Sequence, residues 1–322
     1  MFSLDQYRAL HETAGFLPRT DRGRLMLRGE DRKSYLQGLL SNDIMALGPG
    51  SSCYATMLTA QGRMISDMRV FELGDRTLID LEAAVTAGVH AHLDRFVITE
   101  DVTVEDVTAS LAQIGLYGPE AAAVLAAVRA TGIEPLHTLP SGDIGVDGMD
   151  LIVRSEQEHG LLEALENAGA SRVSPETADV TRIEAGIPRF LIDMDMSTIP
   201  LEAGIEDRAI SLTKGCYVGQ EVIIRVLHRG GGRVARKLVR LALEAPDGAR
   251  GDLVFAGDRE VGRVTSAVDS PKFGKRLALA YVHRDFAEPG TALVVNRAPA
   301  AIVHVRVGDA AISGEVPISG EV

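Results

Sequence analysis

Lys214-Gly-Cys-Tyr-Val-Gly-Gln-Glu221 is the stretch on which the reading of this chain turns. Two glycines, Gly215 and Gly219, flank Cys216 and Tyr217, and Lys214 places a positive charge just ahead of them. The following Gln220-Glu-Val-Ile-Ile-Arg225 reads as the start of a helix. Cys216 is therefore expected close to a helix N-terminus and a cation, the two surroundings that favour a thiolate. The competing reading is a structural cysteine packed into a tight turn that the glycines permit. The segment by itself leaves both open.

Upstream, a helix begins at Ser174-Pro175 and stops at Gly186-Ile-Pro188, with a capping serine, a proline in the first turn and a terminal glycine. Glu184 falls near its C-terminal end, where the macrodipole disfavours a negative charge unless a ligand or an ion pair compensates it. Nearer the N-terminus, Arg22 to Gly29 alternates as a strand and Asp31 opens a helix. Ser52 to Thr59 and Arg63 to Leu73 read as a hairpin turning at Ala60-Gln-Gly62. Asp67 shares a face of the second strand with Arg69, so an exposed ion pair competes with a catalytic or ligand-binding carboxylate. A strand at Thr77 to Leu81, a helix over Ala83 to Phe96, and strands over Val102 to Val107 and Ser110 to Tyr117 follow. Pro119 is expected in the first turn of an Ala-rich helix. Strands around Ile144 and over Leu151 to Arg154, with a helix from Glu156 to Ala168, complete the pattern. Such an order predicts the α+β class, with helices packed on one face of each sheet.

Downstream of Gly230-Gly-Gly232, short apolar runs broken by Gly, Pro and Asp predict an all-β module, a small barrel. The expected domains are 1–230 and 233–310, with a mobile tail over 311–322. The triple glycine reads as the hinge between them or as a hairpin loop within one domain.

A chain of 322 residues with 33 basic and 45 acidic side chains carries a net charge of −12, which opposes the phosphate attraction behind most nucleic-acid binding. No stretch approaches the roughly 18 apolar residues of a membrane span. The N-terminus reads as no targeting signal. Cys53 and Cys216 are the only cysteines, too few for a disulfide framework or a four-thiolate site, and a reducing cytoplasm is the expected compartment. His90 and His92 lie two apart on a helix and point to different faces, and HExxH, GxSxG and P-loop patterns are absent, so no metal is expected. Gly145-Val-Asp-Gly148 reads as a hairpin turn. Arg225, His228, Arg229, Arg233, Arg236, Lys237 and Arg240 form a basic cluster, either a solvated strand face or an attractor for an anionic ligand tail.

The eight-residue stretch carries every specified position of Lys-Gly-Cys-Tyr-x-Gly-Gln-Glu, and here the chain resembles the YgfZ family, relatives of the glycine-cleavage T-protein that include mitochondrial iron–sulfur assembly factors. Leu36-Gln-Gly-Leu-Leu-Ser-Asn-Asp43, Leu58-Thr-Ala-Gln-Gly-Arg63, Arg182-Ile-Glu-Ala-Gly-Ile-Pro188 and Pro200-Leu-Glu-Ala203 look like family segments in order. Gly262-Arg-Val-Thr-Ser266 and Leu277-Ala-Leu-Ala280 look like the T-protein's C-terminal barrel. The resemblance implies α+β subdomains arranged as a cloverleaf around a central folate pocket, closed by that barrel. It implies a tetrahydrofolate cofactor, with Asp67 facing the reactive part of the folate, Glu184 binding the pterin end, and Tyr54, Met57, Lys214 and Tyr217 lining the site. It further implies a factor that assembles or repairs iron–sulfur clusters in client proteins through the Cys216 thiol. Because an ordinary cluster needs about four protein ligands, two cysteines suit action on clusters held elsewhere. The alternative is an aminomethyltransferase or demethylating enzyme using Asp67. T-proteins usually carry paired acids where this chain has Ser66-Asp67.

Overall fold

Alternating side chains from Ser52 onward do form a hairpin. In a computed structural model, which describes residues 1–229, 233–244 and 246–304, strands Ser52–Leu58 and Met64–Glu72 pair antiparallel. Gly62 sits in the turn at φ +73°, a left-handed conformation open to glycine. Strands Thr77–Glu82, Arg22–Arg28 and Thr103–Asp106 extend the hairpin into a five-stranded antiparallel sheet, with Thr77–Glu82 beside Met64–Glu72. One face is covered by helices Arg32–Leu39 and Thr86–Phe96 through Leu25, Leu27, Leu36, Val70, Ile79, Val89 and Leu93.

A second five-stranded sheet runs Ser171–Arg172, Gly15–Pro18, Leu111–Tyr117, Gly148–Arg154 and His137–Ser141 in spatial order. Helices Ala121–Ala130 and Glu158–Asn167 cover one of its faces. The uncovered faces of the two sheets meet through Met26, Phe71 and Leu78 from the first and Leu139 and Ile152 from the second. Each such buried side chain contributes about 1.5–3 kcal/mol relative to exposure. Both sheets carry helices on one face, the α+β arrangement expected from the element order.

Two local expectations are corrected. The strand placed around Ile144 lies earlier, at His137–Ser141, while Ile144 is buried beyond its end in a cluster with Leu10, Leu17 and Tyr117. Pro140 obscured that strand; it is tolerated because His137–Ser141 is the sheet's edge. Pro119 stands outside the first turn of its helix, which begins at Ala121 behind an N-terminal Glu120.

The third part of the molecule hangs on helix Pro175–Glu184, capped by Ser174 Oγ accepting from Thr177 N and ended by Gly186 at φ +73°. Short helices Pro200–Ala203, Glu206–Ala209 and Gln220–Ile224 follow and bury Leu201, Ile205, Tyr217 and Ile223 around the hairpin residues Leu58 and Met64. The chain then closes a barrel in the order Arg236–Leu243, Lys275–His283, Arg259–Ser270, Leu253–Ala256, Leu293–Val295 and Ala298–His304. Ile183 of the capped helix packs on barrel residues Leu238, Leu277 and Leu279. The proposed hinge Gly230-Gly-Gly232 and the tail 311–322 lie outside the described residues.

Candidate functional site

Between the two sheets and helix Pro175–Glu184 opens a cavity of about 570 Å³, within the range of small-molecule sites. Its walls combine apolar surfaces, such as Leu17, Phe71, Ile144 and Phe190, with an unusual number of charged side chains.

Most of those charges answer one another. Arg22 Nε donates to Asp80 Oδ1 at 2.7 Å and its Nη1 to Glu82 Oε1 at 3.2 Å. Arg69 holds Asp80, Asp150 and Ser141, so it bridges the first sheet to the second. Arg19 binds Asp143 at 2.8 Å, Tyr117 Oη at 2.9 Å and Asp21. Arg189 grips Glu82 with two bonds of 2.8 and 2.9 Å. Although burial opposes it, Arg22, Arg69 and Arg19 pull the Asp80 carboxyl down to about 2. This lattice fixes the cavity floor and leaves few free charges for a ligand.

Asp67 is only half answered. It is only 7% exposed, and its Oδ2 accepts from Tyr54 Oη at 2.7 Å, yet Oδ1 is buried without a partner among the described residues. Burial pushes its pKa above the ordinary carboxylate value; Arg22, the Tyr54 bond and Arg208 pull it down, and Glu82 pushes it up. Arg208 lies 4.6 Å over the Tyr54 ring, and its Nε likewise has no partner. Asp67 Oδ1 and Arg208 Nε are thus an acceptor and a donor without partners among the described residues, on side chains that line one cavity, with Tyr54 between them. A buried polar atom left unmatched costs about 1–3 kcal/mol, and a ligand hydrogen bond removes that cost.

Of the residues expected at the site, the structure brings Tyr54 and Asp67 to the cavity wall and places the others elsewhere. Met57 is buried in the core beneath the first sheet, among Leu36, Leu39 and Met68. Glu184 is outside the wall: it accepts from Tyr7 Oη at 2.8 Å, from Ser270 Oγ and from the Lys272 amide, tying the N-terminal helix to the barrel. Those donors answer the unfavourable helix dipole that its position suggested. Arg69 does not pair with Asp67, and in the basic cluster Arg236 pairs with Glu202, Lys237 with Glu288, and Arg240 with the Glu184 carbonyl.

The eight-residue stretch is a junction beside the cavity. Gly219, at φ +84°, lies so near the hairpin turn that a Cβ would stand 2.5 Å from Thr59 O. Gln220 and Glu221 open the short helix that follows, and Val222 reaches Gly62. Lys214 does not serve Cys216: its Nζ donates to the carbonyls of Gln37, Leu40 and Asn42 at 2.6, 2.6 and 2.9 Å, and it sits over the buried Tyr217 ring. Carbonyls orphaned at the end of helix Arg32–Leu39 attract an ammonium more strongly than a neighbouring thiol does. Gly215 and Cys216 are exposed, away from the cavity wall, while Cys53 lines it and burial pushes its thiol up to about 12.

This geometry agrees with comparisons to known proteins. Residues 2–144 match the GCVT N-terminal domain, and residues 236–310 match the glycine cleavage T-protein C-terminal barrel domain. The aminomethyltransferase of Thermosynechococcus vestitus is 31% identical over 310 residues, covering 91% of this chain and 83% of the relative. The chain belongs to the aminomethyltransferase family. The Rubrobacter xylanophilus aminomethyltransferase is 30% identical over the same length, covering 91% and 82%. The fold also matches the glycine cleavage system aminomethyltransferase T of Bartonella henselae, with a TM-score of 0.84 at 20% identity over 94% of this chain and 90% of that one. The closed six-stranded barrel is therefore the T-protein family's C-terminal barrel.

Arg208 was missed in the sequence. It stands in a four-residue helix, Glu206–Ala209, too short for periodicity to mark a face. The buried lattice had a visible signal: Arg69, Asp80 and Asp150 each stand between two apolar residues of a strand, and charges so placed are rarely buried without partners.

Proposed function

We propose that this protein binds tetrahydrofolate in the cavity and there transfers a one-carbon unit, the aminomethyl chemistry for which its relatives are named. The observation that carries the reading is Asp67 Oδ1, buried on a residue of the cavity wall with no partner among the described residues. Tetrahydrofolate, when bound, supplies the nitrogen that carries the one-carbon unit. Asp67 accepts an N–H of the ligand at Oδ1 while Tyr54 fixes Oδ2, and its raised proton affinity suits it to hold and return a proton at Oδ1. Arg208 donates from Nε at the same wall, and Leu17, Phe71 and Phe190 exclude water around the ring system. The domains we assign to this work are 1–230, which supplies the cavity lining, and 233–310, whose barrel packs on helix Pro175–Glu184 behind it.

The experiment is an assay of tetrahydrofolate with an aminomethyl-thiol donor, following ammonia and methylene-tetrahydrofolate. The expected result is turnover that falls by about 10²–10⁴ in Asp67→Asn and persists in Cys216→Ala. Absence of turnover with wild-type protein that binds the folate sinks the transfer reading.

A second reading, a member of the YgfZ group that supports iron–sulfur clusters in client proteins, draws on the exposed thiol of Cys216, accessible to another macromolecule outside the cavity. It rests on the eight-residue stretch, and the relatives' names favour aminomethyl transfer over it. Under this reading Cys216→Ala fails to complement a strain lacking the protein, with the folate affinity unchanged.

A further inference from the structure

Asn42 is not itself a lining residue of the cavity and does not bond the Asp67 carboxylate, yet it ties together the two elements that carry the site. Its Nδ2 donates to the backbone carbonyls of Tyr54 at 2.8 Å and Arg208 at 2.9 Å, the very residues whose side chains stack at the wall. Both amide hydrogens are thereby used, and Oδ1 accepts from Asp43 N at 2.8 Å. Next to it, Ser41 repeats the stitch, with Oγ donating to Ala209 O at 2.6 Å and accepting from Thr56 N at 2.8 Å. Asn42 is itself held from behind, since its carbonyl accepts from Lys214 Nζ. The order of contact runs from Lys214 to Asn42, from Asn42 to Tyr54 and Arg208, and from Tyr54 Oη to Asp67 Oδ2.

The geometry points to Asn42 as a positioning residue of the folate site, setting the register of strand Ser52–Leu58 against helix Glu206–Ala209 so that Tyr54 and Arg208 present Asp67 to the ligand. The inference rests on the proposed folate reading. It gives Lys214 a task in the site unrelated to thiol chemistry: it anchors the backbone from which Asn42 reaches. A side chain that bridges two main-chain carbonyls by a single amide group ties their separation to two hydrogen-bond lengths. Placement errors of about 1 Å at a reacting group cost on the order of a hundredfold in rate.

The test uses the full chain. Asp67 is followed by carbon-13 NMR of labelled aspartate carboxyls, assigned with Asp67→Asn, and tetrahydrofolate affinity by calorimetry under reducing conditions. Arg22, Tyr54, Glu82 and Arg208 are the charged or titratable groups acting on Asp67. Slackening Tyr54 in Asn42→Ala weakens the Tyr54 Oη bond that favours the carboxylate, so the Asp67 titration midpoint moves up and the affinity weakens about tenfold or more. Gln37→Ala is the control: it removes bonds to Ile44 N and Asp43 Oδ1 in the same loop but reaches neither Tyr54 nor Arg208. It is expected to leave both readouts at wild-type values. An unmoved Asp67 midpoint in Asn42→Ala, or equal shifts in Gln37→Ala, overturns the assignment. Should Asn42→Ala not fold, Asn42→Ser is judged by the same two readouts. If the wild type binds no tetrahydrofolate, the functional reading fails, and the NMR midpoint, which needs no ligand, still decides the role of Asn42.

Discussion

Replacing Asp67 by Asn separates what this carboxylate does for the ligand from what it does to the fold. The substitution keeps the shape and an oxygen for the Tyr54 hydroxyl, and removes a charge whose Oδ1 is buried without a partner. Unmatched buried polar atoms cost about 1–3 kcal/mol, and the attraction of Arg22 and Arg208 offsets part of this. The amide nitrogen that replaces Oδ1 is itself unmatched, so what the substitution removes is the burial penalty on the charge, and stability relative to wild type is expected to rise at neutral pH. The sign follows from linkage. A carboxyl whose pKa is raised by folding destabilises the protein at pH values above its folded pKa, and that penalty vanishes as pH falls toward the ordinary value of 3.8. The stability gap between variant and wild type should therefore close on acidification, which thermal melts between neutral pH and pH 4 can read. Affinity moves the other way, since losing a charge-assisted bond of about 1.5–3 kcal/mol loosens tetrahydrofolate by about 10- to 150-fold. A destabilised Asp67→Asn with unchanged folate affinity would refute the assignment of Oδ1 to the ligand.

Other parts of the molecule make equally definite predictions. Glu184→Ala strips Tyr7, Ser270 and the Lys272 amide of their acceptor and should lower stability by about 2–4 kcal/mol in denaturant melts, while the tetrahydrofolate Kd changes less than about threefold. Gly219→Ala sets a Cβ 2.5 Å from Thr59 O at φ +84° and should cost about 2 kcal/mol or more, read by the same melts. Asp80 is held at about 2, below its ordinary 3.8; its stabilisation is complete above about pH 4 and lost as pH falls through about 2, so Asp80→Asn should remove one component of acid unfolding. Iodoacetamide at neutral pH should label Cys216 in the native protein and reach Cys53 only in denaturant, counted by mass spectrometry.

What was legible in the sequence follows from how local the governing physics is. The hairpin, the capped helix at Ser174 and the change of pattern before the barrel are set by alternation, caps and turn glycines a few residues apart, and all are present. The strand at His137–Ser141 escaped because Pro140 breaks the pattern, while Ile144 lent a spurious apolar signal from the turn beside it. At the site, Asp67 and Tyr54 were named through the family resemblance; the hairpin that carries them also carries Met57, which packs in the core instead. Lys214 was read as a partner of Cys216 because adjacency is all that a sequence displays. Its actual partners are carbonyls more than 170 positions earlier, gathered by a helix end that exists only in the folded chain. Glu184 was similarly ambiguous: the misplaced charge was real, but its compensation comes from Tyr7 and the barrel.

Calorimetric titration of tetrahydrofolate into the reduced wild-type protein, Asp67→Asn and Cys216→Ala tests the central claim most directly. The account predicts one site per chain, an affinity weakened at least tenfold in Asp67→Asn, and wild-type affinity in Cys216→Ala. Equal affinity in all three, or no binding by the wild type, would contradict it.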